Sequence, residues 1–191
     1  MNSGERPPEP GSGAPADELQ VAAVLVPVFR DEAGELRLLL VARFDDGGLH
    51  GGQLGLPGGR PEPGDADLRA TALREAQEEI GLEPESVTLL AELPPVDTRA
   101  TGWRVHPLLG LIPHRPSWRL QEREIVGVLT PTLSELADPD ARGMLPFTSL
   151  RHPDPMLVEG IDLDGHVLWG MTLRILDQLV PRLLAGEWQI P

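Results

Sequence analysis

GLPGGRPEPGDADLRATALREAQEEIGL (residues 55–82) joins a glycine- and proline-rich segment to the best helical segment of the chain. In its second half Leu68, Ala72, Leu73, Ala76 and Ile80 recur at the spacing of one helix face. Asp65 or Asp67 can cap the start, and Gly81 follows where a left-handed C-terminal glycine belongs, so the spacing predicts a helix over 68–80. Beside the apolar stripe stand Glu75, Glu78 and Glu79, directly after Arg74. At about 100° per residue the three carboxylates lie within roughly a third of a turn. Taken alone, such a run usually marks a solvated acidic face.

The preceding segment changes that balance. The Pro57-Gly58-Gly59 turn leaves free backbone amides and carbonyls just upstream of the helix, where they can meet a phosphate or a metal ion. Clustered carboxylates at the edge of a core repel one another unless a cation binds them. Oxygen-only ligands select Mg2+ or Mn2+ over zinc. Arg74 is placed to orient one carboxylate from behind.

Outward from this stretch, VAAVLVPVF (21–29) and LRLLLVAR (36–43) read as strands of a hairpin closed by DEAGE (31–35). DDGGLHGGQLGLPGGRPEPGD (45–65) reads as a long loop, partly anchored by Leu54 and Leu56. SVTLLAEL (86–93), WRVHPLLGLI (103–112) and REIVGVLT (123–130) read as strands. PTLSELAD (131–138) reads as a short helix with Pro131 at its first position, and LWGMTLRILDQLVPRLL (168–184) as a closing helix that Pro181 ends or kinks. Irregular alternation of strands and helices predicts a mixed α/β domain over 19–191.

The bulk numbers narrow the function. Thirty acidic against sixteen basic residues give a formal charge of −14, which argues against a nucleic-acid partner. All the basic residues are arginine; without lysine there is no P-loop lysine, Schiff base or kinase lysine. No G-x-S-x-G elbow appears. No apolar run reaches membrane-spanning length, so no membrane is expected. Residues 1–18, rich in Pro, Gly and acidic residues, predict a mobile tail and carry no secretory signal. The absence of cysteine accords with a cytoplasmic location.

Residues 58–82 resemble a Nudix box: a glycine (Gly59), a later acidic residue, then Arg-Glu-x-x-Glu-Glu-x-Gly over 74–81. Ala76 is small for its aliphatic position, Asp65 replaces a glutamate, and eight residues rather than seven separate it from Arg74. Leu39, Leu40, Arg43, Gly52, Pro57, Gly58 and Gly59, with HGGQ (50–53), are similar to the coenzyme A diphosphatase-like subgroup. TGWRVHPLLGLIP (101–113) and WGMTLRIL (169–176) are similar to it as well. The chain departs at Val41, Phe44, Leu56 and above all Gly48, which stands where that subgroup has an arginine.

The resemblance implies an α/β/α sandwich with a mixed sheet and a metal-dependent pyrophosphatase, a hydrolase acting on phosphoric anhydrides. It implies Glu75 and Glu79 as metal ligands, with Glu78 a further ligand or catalytic group and Arg74 supporting them. The Gly58 carbonyl is a backbone ligand or merely part of a turn. For a general base the sequence offers Glu124, in QERE (121–124), against a plain surface charge; Glu122 lies on the same side. Arg43 contacts substrate phosphate or ends a strand in a salt bridge, and Gly59 belongs to the substrate-binding turn. His50 either hydrogen-bonds substrate or steadies its loop, the latter favoured. Trp103 and His106 line either the core or an adenine pocket. The implied substrate is a small-molecule nucleotide. CoA or acyl-CoA, giving 3′,5′-ADP and 4′-phosphopantetheine, comes first; ADP-ribose, NADH, dinucleoside polyphosphates or nucleoside triphosphates are the alternative. A non-catalytic nucleotide sensor is a second alternative, and both a monomer and a homodimer stay open.

Overall fold

The computed structural model of the chain describes residues 19–48, 50–98, 102–112 and 118–191. The tail expected over residues 1–18 lies outside the described residues. The elements are β1 (Gln20–Arg30), β2 (Leu36–Leu38), β3 (Leu40–Arg43), β4 (Leu54–Gly55), β5 (Gly58–Gly59), α1 (Leu68–Ile80), β6 (Thr88–Glu92), β7 (Val96–Thr98) and β8 (Trp103–Leu111). There follow β9 (Ile125–Leu129), α2 (Leu133–Ala137), β10 (Arg142–Phe147), β11 (Met156–Leu163), β12 (His166–Trp169) and α3 (Gly170–Leu184).

The main sheet runs β2-β1-β8-β6, with β5 added to β1 and β7 to β8. β1 and β8 are parallel and every other pair is antiparallel, so the sheet is mixed. Alternate β1 residues serve two cores. Ala23, Leu25 and Phe29 pack with Ala72, Ala76 and Ile80 of α1. Val24, Val26 and Val28 pack with Leu173, Leu176 and Leu179 of α3. Helix, sheet and helix thus form an α/β/α sandwich.

The stretch 36–43, expected as one strand, is two. Leu39 N–H donates to the Pro27 carbonyl at 2.9 Å, but Pro27 has no N–H to return, so the ladder with β1 stops. β3 then leaves to pair with β4 and β9 in a second sheet. The long loop is anchored as expected by Leu54 and Leu56, both buried, and it contributes β4 and β5.

α1 spans the expected residues. Asp67, rather than Asp65, caps it through the Ala70 N–H, and Gly81 closes it at φ 70°. Pro131 lies before α2, not at its first position; Thr132 is the cap, in a reciprocal capping box with Glu135. Pro181 does not end α3, which continues to Leu184. A third sheet, the meander β10-β11-β12, forms largely from residues for which no element was expected, and its last strand takes Leu168 and Trp169, expected as the start of the closing helix, which begins at Gly170.

Candidate active site

The site forms where α1 packs beneath β5 and the end of β3. The 3.6-residue repeat puts Glu79 one turn after Glu75, and Ala72, Ala76 and Ile80 bury that side of the helix. Glu79 is consequently buried, with a side chain only 3% exposed. Its Oε1 lies 3.0 Å from Arg43 Nη2, and its Oε2 accepts from the Gly58 N–H at 3.2 Å. Burial raises the Glu79 carboxyl to about 7; Arg43 and the Gly58 N–H oppose this, while the nearby Glu75 and Glu124 carboxylates push the same way. Glu75 is also raised, first by burial, with Arg74 opposing and Glu78 adding to it.

Glycine makes the close approach possible. A Cβ on Gly59 would fall 2.4 Å from Glu75 Oε1, so the carboxylate occupies the space that any other side chain would take. Gly58, at φ 153°, lets β5 press onto β1; a Cβ there would meet the Ala23 carbonyl oxygen at 2.3 Å.

Arg74 is the tie between loop and helix. It donates to Asp65 through Nε at 3.0 Å and Nη2 at 3.2 Å, to Glu75 at 3.0 Å, to Glu78 at 3.1 Å and to the Arg60 carbonyl at 2.9 Å. The Asp65 hydrogen bonds are the main reason that its guanidinium is held above the ordinary arginine range. Asp65, the residue that departs from the expected glutamate, therefore has a fixed structural partner.

The structure brings together Glu75, Glu79, Arg43, Arg74, Gly58 and Gly59. With Glu79, Arg43 forms the strand-end salt bridge that was one of its two alternatives, and its Nη2 also lies 3.4 Å from the Gly58 carbonyl oxygen. Glu124 is close enough to act on Glu79, and its carbonyl accepts from the Phe44 N–H at 2.7 Å, next to Arg43. Glu78 turns outward, its side chain 60% exposed and held by Arg74. His50 is exposed, with Nδ1 3.4 Å from Gln53 Oε1, a contact within its own loop. Trp103 and His106 lie half-buried on β8. Trp103 carries the Arg60 guanidinium carbon 4.6 Å from its ring centroid. That pair was not legible in the sequence because its partners are far apart in the chain, and alternation along β8 says nothing of the loop above it.

Among the described residues no three acidic or histidine side chains form a ready-made metal cluster. The donor chemistry nonetheless fits a hard divalent cation. Burial raises the proton affinity of both carboxylates, a glycine leaves room beside one, and a guanidinium supplies positive charge to the Glu79 oxygen and the Gly58 carbonyl together.

The NUDIX domain family matches residues 19–149. The chain belongs to the Nudix family. It is a Nudix-type hydrolase, cleaving a pyrophosphate bond in a nucleotide-linked substrate, and the Nudix family typically requires a divalent metal ion. It is similar to a protein described as the uncharacterized Nudix hydrolase NudL of Citrobacter koseri, 39% identical over 158 residues, covering 83% of this chain and 80% of that one. Its fold is similar to the crystal structure of the Nudix hydrolase RenU from M. smegmatis, with a TM-score of 0.62 and 16% identity over 90% of this chain and 89% of that one. It is also similar to the NUDIX domain of Shewanella oneidensis NrtR complexed with ADP ribose, with a TM-score of 0.55 and 18% identity over 86% and 88%. No helix of the described residues is long and apolar enough to cross a membrane.

Proposed function

We propose that this Nudix chain hydrolyses a nucleoside diphosphate linked to a second group, using Glu75, Glu79 and the Gly58 carbonyl to hold Mg2+ or Mn2+. The observation that carries this is the pair of desolvated carboxylates one helical turn apart beneath a glycine turn. When bound, a divalent cation neutralises pyrophosphate charge and acidifies water. Glu124 takes the proton of the attacking water, and Glu78 is a further, solvent-side ligand. Arg43 releases Glu79 to pair with a substrate phosphate, and Gly59, with no side chain of its own, leaves room for that anion. Arg74 holds Glu75 and the loop in register.

Within that chemistry a substrate of low charge, such as ADP-ribose, is favoured over CoA. The chain's charge of −14 and the missing guanidinium at Gly48 both disfavour an additional phosphate. The same fold holds ADP ribose in the Shewanella domain. CoA remains the second reading, supported by Arg43, Gly52 and the HGGQ run.

A panel of ADP-ribose, NADH, CoA and nucleoside triphosphates with Mg2+ and Mn2+ tests the substrate order. Efficient CoA cleavage with none of ADP-ribose reverses it. Glu79→Gln is expected to abolish metal-dependent turnover with an unchanged circular dichroism spectrum; full activity in that variant removes the site assignment.

A further inference from the structure

Arg60 has a setting unlike that of the other arginines near the site. Arg43, Arg69, Arg74 and Arg104 each reach a carboxylate. Arg60, in a chain of charge −14, makes no ion pair among the described residues; it sits instead over Trp103. An aromatic ring holds a guanidinium by its face and leaves the N–H edge free for a planar, bidentate partner.

Position adds to this. Arg60 follows Gly59, against which the Glu75 carboxylate is pressed, and its carbonyl is fixed by Arg74. Gly59 pairs with Ala23 of β1, whereas Trp103 pairs with Gln20. Three strand residues span roughly 10 Å, so the guanidinium is carried along β1 and away from the acidic pair. A substrate phosphate lying along β1 from the acidic pair would meet this guanidinium.

We propose that Arg60, held by Trp103, binds a phosphate oxygen of the substrate. The proposal rests on the hydrolase reading of the Glu75–Glu79 site and names a specificity residue for it. Trp103 is a positioning residue, acting through Arg60.

The test is isothermal titration of the full chain with ADP, without divalent metal, alongside steady-state kinetics on the best substrate of the panel. Arg60→Ala is expected to weaken ADP about tenfold, the loss of a charge-assisted hydrogen bond. In kinetics the loss falls on KM rather than kcat. Arg60→Lys recovers only part, because an ammonium cannot bind bidentately. Trp103→Leu matches Arg60→Ala, and Trp103→Phe stays near wild type. Arg60 is exposed, so its variants keep the question open should Trp103→Leu fail to fold. Wild-type ADP affinity in Arg60→Ala, or no ADP binding by the wild type, overturns the proposal. Normal turnover with ADP binding indifferent to Arg60 sinks this inference alone. Arg60-dependent ADP binding without any turnover sinks the hydrolase reading alone.

Discussion

Gly58 and Gly59 are neighbours that fail differently when given a methyl group. At Gly59 the obstacle is the far end of the Glu75 side chain, which can swing aside. Gly59→Ala is therefore expected to melt within a few degrees of wild type yet lose roughly a hundredfold in turnover, the cost of a carboxylate displaced by about an ångström. At Gly58 the obstacle is the Ala23 backbone, and φ is 153°, so nothing nearby can give way. Gly58→Ala is expected to cost about 3 kcal/mol of stability. Thermal melts and assays of the two purified variants check both outcomes. Glu75 and Glu79 were legible at this scale because four residues make one helical turn. The outward turn of Glu78 follows from the same geometry, since at about 100° per residue it lies roughly 160° from Ala76 at the centre of the buried face.

α1 was readable residue for residue because its cap, its stripe and its terminal glycine agree. Asp67→Ala is expected to cost about 1 kcal/mol in urea titrations, the ordinary loss of an N-cap. Asp65 does different work. Hydrogen bonds from Arg74, then from the Glu62 N–H and Thr71, hold its carboxyl down at about 2, against an ordinary 3.8. Its contribution is complete above pH 3.8 and is lost as pH falls through about 2. Asp65→Asn should lower stability at neutral pH and flatten the acid loss over that interval, as urea midpoints at stepped pH would show. Other elements were less legible. The break at Leu39 is written in Pro27, on a different strand. The β11–β12 hairpin did carry a local sign, Asp164-Gly165 with both φ positive, between alternating IDL and HVLW. The sheet as a whole was missed because β10 has no such mark.

For the molecule as a whole, the fold sets two raised carboxylates in a chain already rich in negative charge. Mg2+ or Mn2+ at about a hundred times its dissociation constant should stabilise the native state by about 2.7 kcal/mol. Calorimetry of wild type should show that gain and its removal by chelator, and Glu79→Gln should show neither. The split run 36–43 has a consequence for how the molecule comes apart. Leu38 faces the α3 core, Leu39 the α1 core, and their amides donate to Pro131 and Pro27 in different parts of the chain. Both cores are thus stitched through two adjacent peptide groups. Hydrogen exchange at those amides is expected to need complete unfolding, with one shared opening free energy equal to that from denaturant. If they exchange at separate rates, the two halves of the sandwich loosen independently.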